Sequence, residues 1–392
     1  MSIGVARRNI ALCVILVTLW AMHFSVAITV AFYELHKLNQ SQILSLVAVM
    51  SIMTVIWEIP SGFLSDKIGD RQAILLSTVA QTVAATALGW WATSYWEFAL
   101  TNGTIGFAWA LSSGSDRSLV NKTASQEQTV SYSFYVAQAR AGGALAGLAI
   151  GSGAIAYGDV TLPLKLQPIT FVAAFFVALA LKETHSHRTH VHLGQIKEVW
   201  NRIFIEHQHL KWLVLLAALV NASALASMWM AQPDLRAAGV NIEWFGAVFA
   251  VRATATFAVA SFKDRWTIRL GTVRTQATLV LAVSSAAWFA ALPTSWTGTV
   301  AILAANAVTA ALTDALLTNA VNQHMKDIKH ASTTSYSIIS ALQALLFIPI
   351  SLGLGPISDT VSPNLALLAI AAVTLLPGWC MLRRLRRSLP KT

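Results

Sequence analysis

Twelve apolar stretches of about 20 residues, each long enough to cross a hydrocarbon layer ~30 Å thick, recur along the whole length of this 392-residue chain. They run approximately over 9–33, 41–63, 72–93, 96–118, 130–155, 161–181, 211–232, 242–262, 272–292, 297–320, 333–355 and 363–382. Lipid offers no hydrogen-bond partner to backbone N–H and C=O groups, so segments of this length must be helices and not open strands. The composition agrees, with 56% hydrophobic and 11% charged residues against ~25% charged in ordinary soluble domains. The expected class is therefore an all-α membrane protein. The first stretch follows Arg7 and Arg8, but it is too long for a signal-peptide core and eleven more follow, so it reads as a retained helix.

Charge placement orients the chain. With a cytoplasmic N-terminus, 22 of the 27 Lys and Arg fall on the cytoplasmic side, and only Lys37, Lys165 and Arg236 fall outside. This bias is the positive-inside rule, which puts both termini in the cytoplasm; the expected location is a bacterial inner membrane. The net charge of +10 then needs no nucleic acid to explain it. Trp90, Trp91, Trp96, Trp244 and Trp296 lie at expected outer ends, Trp57, Trp266 and Trp379 nearer inner ones, as interfacial belts require. Cys13 and Cys380 both lie in spans and imply no disulfide framework.

The longest interval between spans separates six from six. The expected division is an N-terminal six-helix bundle over 1–181, a cytoplasmic linker over 182–210 and a C-terminal six-helix bundle over 211–392. Repetition supports it: at an offset of 198, Asp66 falls on Asp264, Arg71 on Arg269, Asp116 on Asp314, Asn121 on Asn319 and His23 on Asn221. "DRSLVN" and "DALLTN" share the form D-x-x-L-x-N, and "GSGAI" at 151 matches "GLGPI" at 353 after a slip of four. Two related halves with a midplane site at their interface are a known transporter plan. The string "HSHRTHVH" in the linker holds His185, His187, His190 and His192, a spacing able to bind zinc or nickel in an ordered loop. A solvated linker is the simpler reading, and no metal site or cofactor is assigned.

"EIPSGFLSDKIGDR" at 58–71, between spans two and three, resembles the G-x-x-x-D-[RK]-x-G-[RK]-[RK] signature of the major facilitator superfamily, in the form preceded by E-I-P among bacterial efflux-type members. Gly62, Asp66, Lys67, Gly69 and Arg71 match; Asp70 and Gln72 depart where a basic residue is usual. The resemblance implies twelve helices in two pseudo-symmetric halves and a cytoplasmic gate that stabilises the outward-facing state, with Asp264, Arg269 and Asp314 as repeat counterparts. On the residues alone, Gly62 permits close helix approach, Asp66 suits the positive end of a helix, and Arg71 can reach the carboxylate of Asp116 at the inner end of span four. Loop charges that merely cap helices are the plainer alternative. Gly143, Gly147 and Gly151 form a ridge on span five that favours close helix packing, without the Gly-Pro pair common in exporters.

Arg140 and Arg252 lie deep in spans five and eight, where an arginine costs at least ~2.5–3.5 kcal/mol unless it finds water, a partner or a substrate. No Asp or Glu is expected at comparable depth, so the cavity reads as positive and an anionic or amphipathic organic solute as its counter-charge. Partners on carbonyls or acids a turn away are the alternative. Trp20, Trp109 and Trp229 fall inside spans as packing bulk or solute-facing aromatics, and Asn221 and Asn306 share similar depth. His23 and Glu34 are the expected coupling residues, His23 because its ordinary pKa lies near ~6.5.

H-E-x-x-H, G-x-S-x-G and G-x-x-x-x-G-K-[ST] are all absent, so the chemistry of an enzyme or an ATP-driven pump is missing. The expected function is a monomeric secondary active transporter, export slightly favoured and proton-coupled. Uptake symport or exchange of an organic anion or siderophore remains open, and a non-transporting receptor or enzyme ranks last.

Overall fold

The computed structural model describes residues 3–123, 126–157, 159–183, 193–269, 282, 295–324 and 331–388. It is helical throughout: α1 (Ile3–Ala21), α2 (Thr29–Leu35), α3 (Gln40–Ile68), α4 (Asp70–Trp90), α5 (Tyr95–Ser112), α6 (Ser115–Thr123), α7 (Gln126–Ala156), α8 (Leu162–Leu166), α9 (Pro168–Leu179), α10 (Leu193–Asn201), α11 (Gln208–Ala237), α12 (Phe245–Arg269), α13 (Trp296–His324), α14 (Ala331–Thr360) and α15 (Pro363–Ser388). Ten helices among the described residues are long and apolar enough to cross a membrane. The fourth expected span is α5, and the ninth, 272–292, lies apart from residue 282 outside the described residues. Two compact units form, Met1–Val191 with Asn241–Phe257, and His192–Val240 with Ala258–Thr392.

Local sequence explains where helices start. Asn39 accepts the Gln42 N–H at 2.9 Å while the Gln42 side chain accepts the Asn39 N–H at 3.0 Å, a capping box that opens α3. Glu97 does the same for α5 by accepting the Ser94 N–H at 2.9 Å. Helices of the first unit then meet through small residues and hydroxyls, as they must where lipid supplies no hydrophobic drive. Ser77 donates to Ala108 O at 2.7 Å, Ser61 to Ala110 O at 3.0 Å and Thr54 to Gly106 O at 3.2 Å.

The first span corrects the expectation of one helix over 9–33. α1 stops at Ala21 and α2 begins at Thr29, with Met22–Ile28 irregular between them. Span six is also divided, α8 meeting α9 at Gln167. The two breaks face each other. The Gln167 carboxamide accepts the Phe24 N–H at 2.7 Å and donates to Met22 O at 3.1 Å, and its Nε2 also donates to Thr170 Oγ1 at 2.9 Å. One side chain thereby replaces two backbone partners lost when the helix unwinds.

The glycine ridge of α7 makes room for this break. A Cβ at Gly147 would lie 2.8 Å from His23 N and 2.9 Å from Met22 C, while one at Gly143 or Gly151 would strike Thr18 O or Phe24 O. The expectation of close packing holds, and its object is an unwound strand of backbone.

In the second unit α11 is the central helix, with Leu210, Leu213, Val214, Leu216, Ala217 and Val220 in one buried cluster with Ile339 of α14 and Leu382 and Leu385 of α15. The second half of the expected linker has structure: α10 continues into a π-helical turn, Arg202–Glu206, and α11 follows after the non-helical His207. Residues 184–192, with His185, His187, His190 and His192, lie outside the described residues.

The contact geometry predicts a split among the glycines of α7. Gly147→Val is expected to lower stability by about 1–3 kcal/mol or more, because its neighbour is backbone and cannot swing aside. Gly142→Ala and Gly153→Ala, where a Cβ would meet nothing within 4 Å, are expected to be neutral or mildly stabilising. Apparent melting temperatures in detergent separate the two classes.

Candidate functional site

The motif loop is a joint one residue long. Gly69 ends α3, with its N–H on Ser65 O at 2.8 Å, and opens α4 from a φ of 101°, a conformation that favours glycine. A Cβ there would also lie 2.6 Å from Glu183 Cδ, so the Glu183 carboxylate occupies the start of α4.

Asp70, the departure from the family signature, is the centre of this region. It is 2% exposed in the first turn of α4, where a carboxylate suits the helix dipole. It accepts Ser65 Oγ at 3.1 Å, Ser118 Oγ at 3.0 Å and Lys122 Nζ at 2.7 Å. Arg71 does not bond Asp116. Its Nη2 donates to Leu179 O at 2.8 Å, beside Arg8 Nη2 on Ala180 O at 2.9 Å and Asn9 Nδ2 on Lys182 O at 2.8 Å. The physical reason is that α9 ends here, and its carbonyls lack helical partners. Asp116 is buried and accepts the Tyr132 hydroxyl at 2.7 Å. Gly62 is exposed and meets no described atom within 4 Å of a Cβ. Lys67 is exposed. The side chains of Asp66, Asp264, Arg269 and Asp314 lie outside the described residues.

Among the intramembrane candidates, Arg252 is half-buried in α12, and its guanidinium has no acidic partner among the described residues. Arg140 is exposed on α7. Gly246 places α12 against α7, since a Cβ there would strike Ser152 Oγ. Arg252 lies about 9 Å along α12 from that contact and Arg140 about 18 Å along α7, at 1.5 Å per residue. Trp20 and Trp229 are half-buried, and each indole N–H is buried with no acceptor among the described residues. Trp109 is exposed and Asn221 half-buried. Asn306 is buried and donates to Ser227 Oγ at 2.9 Å, part of a helix-packing network with Ser223 and Thr374, which are 2.6 Å apart.

His23 sits inside the break of the first span, its ring edge-on to Phe171 at 6.2 Å. Glu34, in the last turn of α2, accepts Gln40 Nε2 at 2.7 Å.

Three residues escaped the sequence. Gln167 was marked only by its setting in "LPLKLQP", a polar side chain between prolines within an apolar run. Lys122 was visible only as one of several loop cations. Asp234 was missed because the seventh span was ended at 232, whereas α11 continues through Pro233 to Ala237. Asp234 is buried there and accepts hydrogen bonds from Thr299 and Asn364. At the repeat offset of 198, Asp234 falls on His36, and Gln232 on Glu34. Each half thus carries a titratable side chain at this level.

The family model described as Major Facilitator Superfamily matches residues 10–325. The chain belongs to this superfamily. Among solved structures, it is similar to a bacterial homologue of the human lysosomal transporter Spinster, captured inward-facing and unoccupied, with 14% identity, a TM-score of 0.74 and all of both chains covered. It is also similar to the nucleoside transporter NupG, with 11% identity, a TM-score of 0.68, and 97% of this chain and 99% of that one covered. At these identities the likeness establishes the twelve-helix major facilitator fold. No curated protein sequence matches the chain.

Asp70 and Lys122 yield a stability prediction. Asp70→Asn is expected to cost roughly 2–3 kcal/mol, below the ~3–5 kcal/mol of a fully buried pair because the Lys122 side chain is 25% exposed. The double variant Asp70→Asn, Lys122→Met is expected to recover part of the loss. A thermal melt followed by size-exclusion chromatography checks both, and equal stability of all three proteins would reject the pair's contribution.

Proposed function

We propose that this protein is a secondary active transporter that moves a small organic anion, or an amphipathic solute with an anionic group, by alternating access. The observation that carries the reading is Arg252, a guanidinium half-buried in a membrane span with no carboxylate beside it among the described residues. A charge held in that setting is stabilised by what it binds. Two buried indole N–H donors, on Trp20 and Trp229, have the same polarity preference: each needs an acceptor. Export is slightly favoured by the E-I-P context of the motif, with Gly62, Asp66, Lys67, Gly69 and Arg71 acting at the gate. Proton coupling through His23 or Glu34 is part of the proposal, and Asp234 joins them as a third candidate. The protein acts as a monomer in a bacterial inner membrane.

Arg252→Ala is expected to weaken binding of an anionic solute by about 10–100-fold, the value of a charge-assisted hydrogen bond of ~1.5–3 kcal/mol. A neutral isostere is expected to change little. Isothermal titration across a panel of anionic and neutral solute pairs measures the difference, and equal losses for both members would reject the anion assignment.

Coupling is tested by flux into proteoliposomes as a function of pH. If a proton and an anion bind together, uptake of solute rises toward acid in wild type, and the dependence flattens in whichever of His23→Gln, Glu34→Gln or Asp234→Asn removes the carrier. An unchanged profile in all three would leave exchange or uniport as the mechanism.

A further inference from the structure

The side chains of α10 and its π turn are sorted in a way that a solvated connector does not require. Val199 and Ile203 are fully buried, packed with Leu210, Ile339, Leu382 and Leu385 where α11 begins and α15 ends. On the adjoining face Trp200 stacks on Phe204 with ring centroids 4.2 Å apart, yet Trp200 stays 44% exposed and Ile205 65%. Lys197 is exposed, and Arg202 lies 3.6 Å from Glu198. Trp212, in the first turns of α11, has Lys211 Nζ 5.4 Å and the Arg384 guanidinium 4.8 Å from its ring. The other arginines of "LRRLRRS", at the end of α15, are exposed beside the same buried cluster. Against these cations on α10, the π turn and the adjoining ends of α11 and α15 stand Glu198 and Glu206 among the described residues.

An exposed indole and an exposed isoleucine, with Lys and Arg side chains on the same elements and on the neighbouring helix ends, match the bilayer interface, where an indole keeps its apolar body in the acyl boundary and its polar edge in the headgroups. Position supports this occupant. Trp200 precedes the first residue of α11 by only eight positions, joined to it through the π turn and His207. The two elements are only 9 and 5 residues long, well short of the ~20–30 residues a side that a stable protein interface uses.

We propose that α10 and the π turn form an interfacial anchor, with Trp200, Phe204 and Ile205 seated in the leaflet adjoining the start of α11 and the surrounding Lys and Arg drawing anionic phospholipid to that edge. This inference is independent of the transported solute.

The test uses the full chain in nanodiscs of phosphatidylglycerol or phosphatidylcholine. The fluorescence of Trp200, isolated as wild type minus Trp200→Phe, is expected to be quenched by lipids brominated near the headgroup end of the acyl chain and spared by aqueous iodide. A nitroxide on I205C in a C380S background is expected to collide more with oxygen than with a water-soluble nickel chelate. K197E and R384E are each expected to reduce the preference of bromolipid quenching for phosphatidylglycerol by roughly fivefold. Iodide-accessible Trp200 and a chelate-accessible label would overturn the anchor and leave the patch to a soluble partner. Quenching without any preference for phosphatidylglycerol would overturn the assignment of anionic lipid.

Discussion

A peptide group in hydrocarbon has no water to fall back on, and the first unit is organised around a place where the helix fails to satisfy its own. The unwound segment Met22–Ile28 survives because Gln167 takes the Phe24 N–H and gives its own amide to Met22 O. That arrangement requires span six to present Gln167 at the break, beside Pro168, which has no N–H of its own, and it requires span five to present no side chains where the bare backbone passes. The ridge of Gly143, Gly147 and Gly151 meets the second requirement. His23 is thereby held at a discontinuity and not on a regular helical face, with His23 N against Gly147.

At the motif end a similar economy holds. Helix termini leave carbonyls without partners, and Arg8, Asn9 and Arg71 converge on those at the end of α9 and just beyond it. Asp70 collects two hydroxyls and one ammonium. The signature stretch therefore has a structural duty inside the first unit, so any loss of transport in an Arg71 variant would have to be separated from a loss of stability.

Spans, their number and the long central interval were legible because they depend on apolar length, which the bilayer enforces on every residue of a stretch. The glycine ridge was legible for the same reason: small residues at a spacing of four mean close approach. The break at Met22–Ile28 was not. It contains no Pro or Gly, and its cause lies 143 positions away in Gln167. Asp70 read as a flaw in a basic motif, because its partners Ser118 and Lys122 belong to another helix. Arg71 was assigned a carboxylate by charge, whereas the structure gives it a carbonyl, an acceptor that no sequence displays. Asn306 was chosen for its depth, and its bond to Ser227 on another helix is a contact that depth alone does not reveal.

The separation of Gln167 from Phe24 also sets an order of events during synthesis. At ~5–20 residues per second, the 143 residues between them take roughly 7–30 s to emerge. Through that interval the first span is in the membrane without the side chain that stabilises its break. In lipid the Phe24 N–H and Met22 C=O are then expected to find their partners within an uninterrupted helix, as the apolar run describes. Unwinding is then expected to accompany the arrival of span six, with the nascent and mature forms of the same segment differing in secondary structure.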